Sequence, residues 1–141
     1  MIGHFEKLFL DTAPLIYYLD VDERYAWKVK DSLSLALDNK KEISTSVITA
    51  TEYLTHPYRD ENLGKVAAFF AFIAASQINI ISIDVAIAER AAQIRAEYPC
   101  FKTMDSLQLA AALLNDCDAF LTNDKQLCQF TGLRCIMVDS L

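Results

Sequence analysis

Apolar positions along the chain keep two different rhythms. Some fall in short solid runs closed off by polar residues. Leu8-Phe9-Leu10, in "KLFLD", is the first of these and reads as a buried strand. "EISTS" reads as a short strand, and "INIISI" as another on its isoleucine content and alternation. Ala119 to Leu121 in "DAFLTND" and the closing "RCIMVD" complete the set. Between the runs, apolar residues recur at three- and four-residue spacing, the period of an amphipathic helix.

That spacing predicts a helix from Ala13 to Leu19, with Asp11 or Thr12 as its cap and Pro14 in the first turn, where a missing N–H costs least. A second runs from Asp22 to Leu37 on Ala26, Val29, Leu33, Ala36 and Leu37. "SVITATEYLTHP" reads as a helix stopped by Pro57, and Asn62 to Ser76 as a strongly apolar one. Asp84 caps a helix over Val85 to Glu97, which ends before Pro99. "TMDSLQLAAALLND" is a good helix, and Asp124 to Phe130 a short one.

Strands therefore alternate with helices nearly throughout. The expected class is α/β: three layers, with helices on both faces of a central, mainly parallel sheet of four to five strands. The 141 residues suit one domain, 1–141. In such sheets, sites lie outside the carboxyl ends of the strands.

Four acids fall at or near those ends. Asp11 follows the first strand and Asp124 follows "AFLT". Asp105 opens the helix in "KTMDSLQLAAAL", and Glu52 lies about two turns into "STSVITATEYL". Singly each has an ordinary role. Asp11 can cap its helix, Asp105 can complement a helix dipole, Asp124 can turn the chain, and Glu52 can face solvent. Together they would repel one another unless a cation binds or some carboxyls keep their protons. Oxygen donors of this kind suit Mg²⁺ or Mn²⁺, and the chemistry such ions support is phosphodiester hydrolysis. The metal reading requires the Asp11 carboxylate to face Asp105 rather than the N–H groups of its own helix.

Composition narrows the alternatives. A net charge of -6 argues against a broad basic surface for duplex nucleic acid, though not against a nucleic-acid substrate met through a cation. Cys100, Cys117, Cys128 and Cys135 form no C-x-x-C pair and lie far in sequence from His4 and His56, so zinc is not expected. The opening "MIGHFEKLFLD" lacks a signal-peptide pattern. The longest apolar stretch, in "KVAAFFAFIAAS", has about ten residues, short of the ~20 a membrane span needs. These features read as a cytoplasmic protein with no membrane segment, its cysteines reduced and mostly packed.

"LFLDTAPLIYYL", "STSVITATEYL", "KTMDSLQLAAAL" and "AFLTNDKQL" occur in the order and rough spacing of the PIN domain. The chain resembles in particular the single-domain VapC-type toxins, over essentially its whole length. The resemblance implies a metal-dependent ribonuclease on a parallel sheet. Asp11 and Asp105 would be the principal Mg²⁺ or Mn²⁺ ligands, direct or through water. Glu52 would position the metal or the attacking water, and Asp124 would complete the pocket or take a second ion. Thr12 and Ser46 would orient waters, and Thr122 and Asn123 match the Thr-x-Asp pattern that accompanies the last acid. Gln108 departs from the family, which more often has an apolar residue there. The resemblance also implies a homodimer and a small antitoxin partner, with Asp22 to Leu37 and Asn62 to Ser76 as the apolar surface.

Among the basic residues, Lys102 and Lys125 flank acids and could meet RNA phosphate. Tyr17, Tyr18 and Tyr53 lie near the acids, with packing the better reading for each. His56 reads as a helix-end residue rather than a base. A PIN-like module that binds metal or RNA poorly and works through protein partners is the alternative from another class. A phospho-acceptor domain would need a late lysine beside the acids, and Lys125 is wrongly placed. A haloacid-dehalogenase-like hydrolase would need an acid where Ala13 stands.

Overall fold

The computed structural model describes residues 2–141. Five strands form one sheet: β1 (Lys7–Leu10), β2 (Glu42–Ser46), β3 (Ile78–Ile81), β4 (Ala119–Thr122) and β5 (Arg134–Met137). Their order across the sheet is β3-β2-β1-β4-β5, and every neighbouring pair is parallel. Six helices connect them: α1 (Thr12–Leu19), α2 (Ala26–Asp38), α3 (Val47–Arg59), α4 (Leu63–Ala75), α5 (Val85–Glu97) and α6 (Thr103–Leu114). Short 3₁₀ turns cover Lys125–Gln129 and Val138–Ser140.

Strand periodicity divides the core in two. Leu8 and Leu10 of β1 point to one face, where they meet Leu15, Val29, Leu33, Tyr53, Phe69 and Ile73 from the first four helices. Phe9 points to the other, among Ile87, Ala91 and Ile94 of α5 and Leu109 of α6. There its ring stacks on Phe120 of β4, centroids 5.3 Å apart. Leu8, Phe9 and Leu10 are wholly buried, as a central parallel strand covered on both faces requires.

Caps explain several boundaries. Asn62 Oδ1 accepts from Lys65 N–H and starts α4, and Asp84 Oδ1 accepts from Ile87 N–H and starts α5. The segment before α2 is not helical as expected from Asp22. Asp22 Oδ1 instead accepts from the N–H groups of Arg24 and Tyr25, and the helix begins at Ala26.

Two expectations need correction. Pro57 does not stop α3, which continues to Arg59 with Pro57 inside it and buried. So near the helix end, the ring forgoes one bond, to the Tyr53 carbonyl, and the last turn closes through Asp60 N–H to the His56 carbonyl, 2.9 Å. Nor are all four cysteines reduced. Cys128 and Cys135 form a disulfide, because the chain doubles back from the 3₁₀ turn into β5 and brings their Cα atoms within 5.2 Å. Cys117 is free and buried, while Cys100 is free and exposed. Among the described residues, no helix is long and apolar enough to cross a membrane.

Candidate metal centre

The carboxyl ends of β1, β2 and β4 lie side by side, and the sheet's hydrogen bonding sets what projects from them. β1 and β4 pair Leu10 with Leu121, and the ladder extends one step further through Asp11 N–H to the Leu121 carbonyl, 2.9 Å. Asp11 is thereby fixed at the edge beside Thr122, the last residue of β4. Ser46 ends β2 and caps α3, its hydroxyl accepting from Ile48 N–H at 3.1 Å. α3 then carries Glu52 back over this edge, and α6 brings Asp105 in its first turn.

Asp11 is 8% exposed. One carboxylate oxygen accepts from Thr12 N–H at 3.0 Å, and the other from the Thr122 hydroxyl at 2.8 Å. The carboxylate therefore does contact the first N–H of its own helix, contrary to the either-or expectation. A carboxylate has two oxygens, and only one is spent on the helix. Burial pushes the Asp11 carboxyl up to about 6. The two hydrogen bonds work against that rise, and the nearby charges of Asp105 and Glu52 add to it.

Asp105 is half-buried and its carboxyl is also raised, first by burial and then by repulsion from Asp124 and Glu52, with Lys102 opposing. Each of the other three acids thus bears on Asp11 or on Asp105. Glu52 is exposed, yet its Oε1 accepts the Thr12 hydroxyl at 3.0 Å. Asp124 is exposed and caps the following 3₁₀ turn through Gln126 N–H, while its own N–H donates to Thr122 Oγ1 at 3.1 Å.

The supporting polar residues divide. Thr12, Ser46 and Thr122 are buried and bonded within the site. Asn123 is not directed at the acids. Its side chain braces two other segments, donating to the Tyr17 hydroxyl at 3.2 Å and accepting from Asp139 N–H at 3.1 Å. Tyr18 packs at a tilt on Phe72 and Tyr53 stacks on Phe69, as packing residues. His56 lies exposed in the last turn of α3.

Every donor here is an oxygen, the chemistry a hard divalent cation selects. Among the described residues, however, no three His, Cys, Asp or Glu side chains stand close enough to enclose one ion. Mg²⁺ is commonly held by one or two carboxylates with water completing its shell, so the donor set fits that kind of site and not a closed protein cage.

The comparisons with known proteins agree with this architecture. A family model described as the PIN domain matches residues 8–133. The chain belongs to the PIN domain family. Its fold is similar to that of a chain in a toxin–antitoxin complex from Klebsiella pneumoniae, at TM-score 0.71 and 24% identity, covering 93% of this chain and 97% of that one. It is similar to one in DNA-bound VapBC from Salmonella typhimurium, at TM-score 0.73 and 20% identity, covering 94% and 98%. FitAcB from Neisseria gonorrhoeae contains another, at TM-score 0.71 and 19% identity, covering 95% and 99%. No match is found among curated proteins.

Sequence reasoning passed over two buried polar residues of this PIN domain, Thr45 and Thr49, and noted a third, Gln108, only as a departure from the family. Thr45, Thr49 and Gln108 lie directly beneath the acids, each no more than 1% exposed. A signal was present in the hydroxyl run of "STSVIT" and in one amide within "SLQLAAAL". Polar residues in the middle of otherwise apolar segments need partners, and here they partner one another.

Proposed function

We propose that this PIN domain is a metal-dependent endoribonuclease acting in the cytoplasm as the toxin of a toxin–antitoxin pair. The observation that carries the reading is the state of Asp11. Its buried carboxyl is raised to about 6 beside Asp105 and Glu52, at the edge where a parallel sheet places its chemistry. A divalent cation would offset the cost of burying the Asp11 charge, and with it the repulsion from Asp105 and Glu52, and hold Asp11 ionised. Asp11 and Asp105 would hold Mg²⁺ or Mn²⁺, Glu52 would orient water, and Asp124 would close the pocket. When bound, the ion would lower the pKa of the attacking water and stabilise charge on the phosphoryl oxygens. Lys102, exposed beside Asp105, offers an RNA phosphate a positive charge at the rim.

A homodimer and a small antitoxin partner belong to the same proposal. Its support is the exposed apolar surface of α2 and α4, with Trp27 58%, Leu63 67% and Phe70 50% exposed, together with the toxin–antitoxin complexes among the structural neighbours. The spacing of the carboxylates favours a second reading, a catalytically weak PIN module that acts through its partners. Cleavage of RNA in Mg²⁺ separates the two. Asp11→Asn should abolish cleavage while the protein stays folded. Equal cleavage by both proteins, free of contaminating nuclease, would sink the ribonuclease reading.

A further inference from the structure

Beneath the acids, the hydrogen bonds form a connected network with a defined direction. Gln108 lies one helical turn after Asp105 on the same side of α6 and is 1% exposed. Its Nε2 is 2.8 Å from Thr49 Oγ1 and 3.4 Å from Thr12 Oγ1, and its Oε1 accepts from the Ser46 hydroxyl. Thr12 and Thr49 hydroxyls are 3.2 Å apart, and Thr45 Oγ1 lies 2.8 Å from both Thr49 Oγ1 and the Leu10 carbonyl. One side chain from α6 thus ties together the starts of α1 and α3 and the end of β2.

Proton counting is satisfied by this orientation of the amide. Ser46 Oγ already accepts from Ile48 N–H as the cap of α3, so its single hydrogen is free to donate. That hydrogen goes to Gln108 Oε1, which turns Nε2 and its two hydrogens toward Thr49 and Thr12. Thr12 receives one of them and is left with its own hydrogen for Glu52 Oε1 at 3.0 Å. The opposite orientation would leave the Ser46 hydrogen without this acceptor and place Oε1, with no hydrogen to give, beside the two threonine hydroxyls.

We infer that Gln108 is a positioning residue for the candidate centre: through Thr12 it aims a hydroxyl donor at Glu52 and fixes that carboxylate over the sheet edge. Glu52 is otherwise exposed, and among the described residues the Thr12 hydroxyl is the one hydrogen-bond donor to its carboxylate. The amide in an otherwise apolar helix is then the support for an acid on a different helix. Outer partners that orient ligands commonly alter metal affinity about 10–100-fold. The metal-binding part of the inference rests on the proposed ribonuclease reading; the Gln108–Thr12–Glu52 linkage is tested without metal.

Carbon-13 NMR of the Glu52 carboxyl in metal-free protein is the direct test. Gln108→Met keeps the length and loses the hydrogen bonds, while Thr12→Val keeps the shape and loses the hydroxyl. Each should shift the Glu52 resonance in the same direction, and the double variant should shift it no further than Thr12→Val alone. A folded Gln108→Met protein with an unshifted Glu52, or one whose effect persists in the Thr12→Val background, overturns the inference. If Gln108→Met does not fold, wild type supplies the check. Its Gln108 amide protons should exchange slowly with solvent, and exchange at the rate of a free amide is contrary to the inference. Mn²⁺ affinity by calorimetry should fall about tenfold in either single variant and no further in the double. A wild type that passes the NMR test but leaves RNA intact in Mg²⁺ counts against the nuclease reading alone. One that cleaves RNA but fails the NMR test counts against Gln108 alone.

Discussion

Asp11 is both a helix-end acceptor and a member of an acid cluster, and its burial has a measurable consequence. The carboxyl titrates near 6 in the folded chain and near 3.8 when exposed. Between those values the folded state holds a proton that the unfolded state has released, so stability falls as pH rises through this window. Above pH 6 the whole penalty is present, of the order of 2–3 kcal/mol for a shift of this size. Asp105, raised in the same direction, adds to the trend. Metal-free protein should therefore become more stable in urea as the pH is lowered from 7 to 5. Asp11→Asn should flatten the dependence and be at least as stable as wild type at pH 7.5. Stability that falls from pH 7 to pH 5 would contradict this account of Asp11.

Asp11, Asp105 and Asp124 could be picked out in the sequence because each follows a strand or opens a helix, where residue type and position can be read together; Glu52, inside α3, stood out only as an acid in a small and apolar stretch. The polar layer beneath them was not legible. Thr45, Thr49 and Gln108 acquire meaning only when β2, α3 and α6 meet, and their contacts span up to 96 residues of chain. Asn123 adjoins Asp124 in sequence, but its amide bonds to the Tyr17 hydroxyl and the backbone at Asp139.

At the scale of elements, most of the sheet and helix pattern was legible. Short strands of four or five residues with helices between them leave few alternatives to a parallel sheet, and "EISTS" and Val85–Glu97 have the boundaries that their sequences suggest. The misreadings are local contests between chain chemistry and packing. A proline late in α3 forgoes one hydrogen bond, and burial of its ring against the rest of the fold is compatible with continuing the helix. The disulfide could not be read from spacing, since its closure depends on the return of the chain after Phe130. It links residues 7 apart in sequence, so the loop it closes is short, and loop entropy limits its contribution to about 2 kcal/mol. Reduction with a dithiol should lower the free energy of unfolding by that amount without altering the far-ultraviolet circular dichroism. Loss of the helical signal on reduction would show that the β5 end depends on the bond for folding.

For the whole molecule, the two faces of the sheet do different work. α5 and α6 close one side over the cluster around Phe9 and Phe120. On the other side, α1 packs on α2 and α3 and reaches α4 through Tyr18 on Phe72, its Tyr17 packed on Tyr25 at the start of α2, while Trp27, Leu63 and Phe70 remain exposed. The two helices expected to form one surface are therefore joined through α1. Sedimentation should give a species of twice the 15.9 kDa chain mass, and Phe70→Glu should shift it toward the monomer. A wild-type monomer at tens of micromolar would remove the dimer from the proposal.

The central claim is that the acids at the carboxyl edge of the sheet hold a divalent cation together, although no three of them enclose one in the described residues. Mn²⁺ titration by calorimetry, comparing wild type with Asp11→Asn and Asp105→Asn at equal folded concentration, tests it most directly. Wild type should bind Mn²⁺ with proton release near pH 6, and each substitution should weaken binding at least about tenfold. Equal binding by all three proteins, or none by wild type, would contradict the claim.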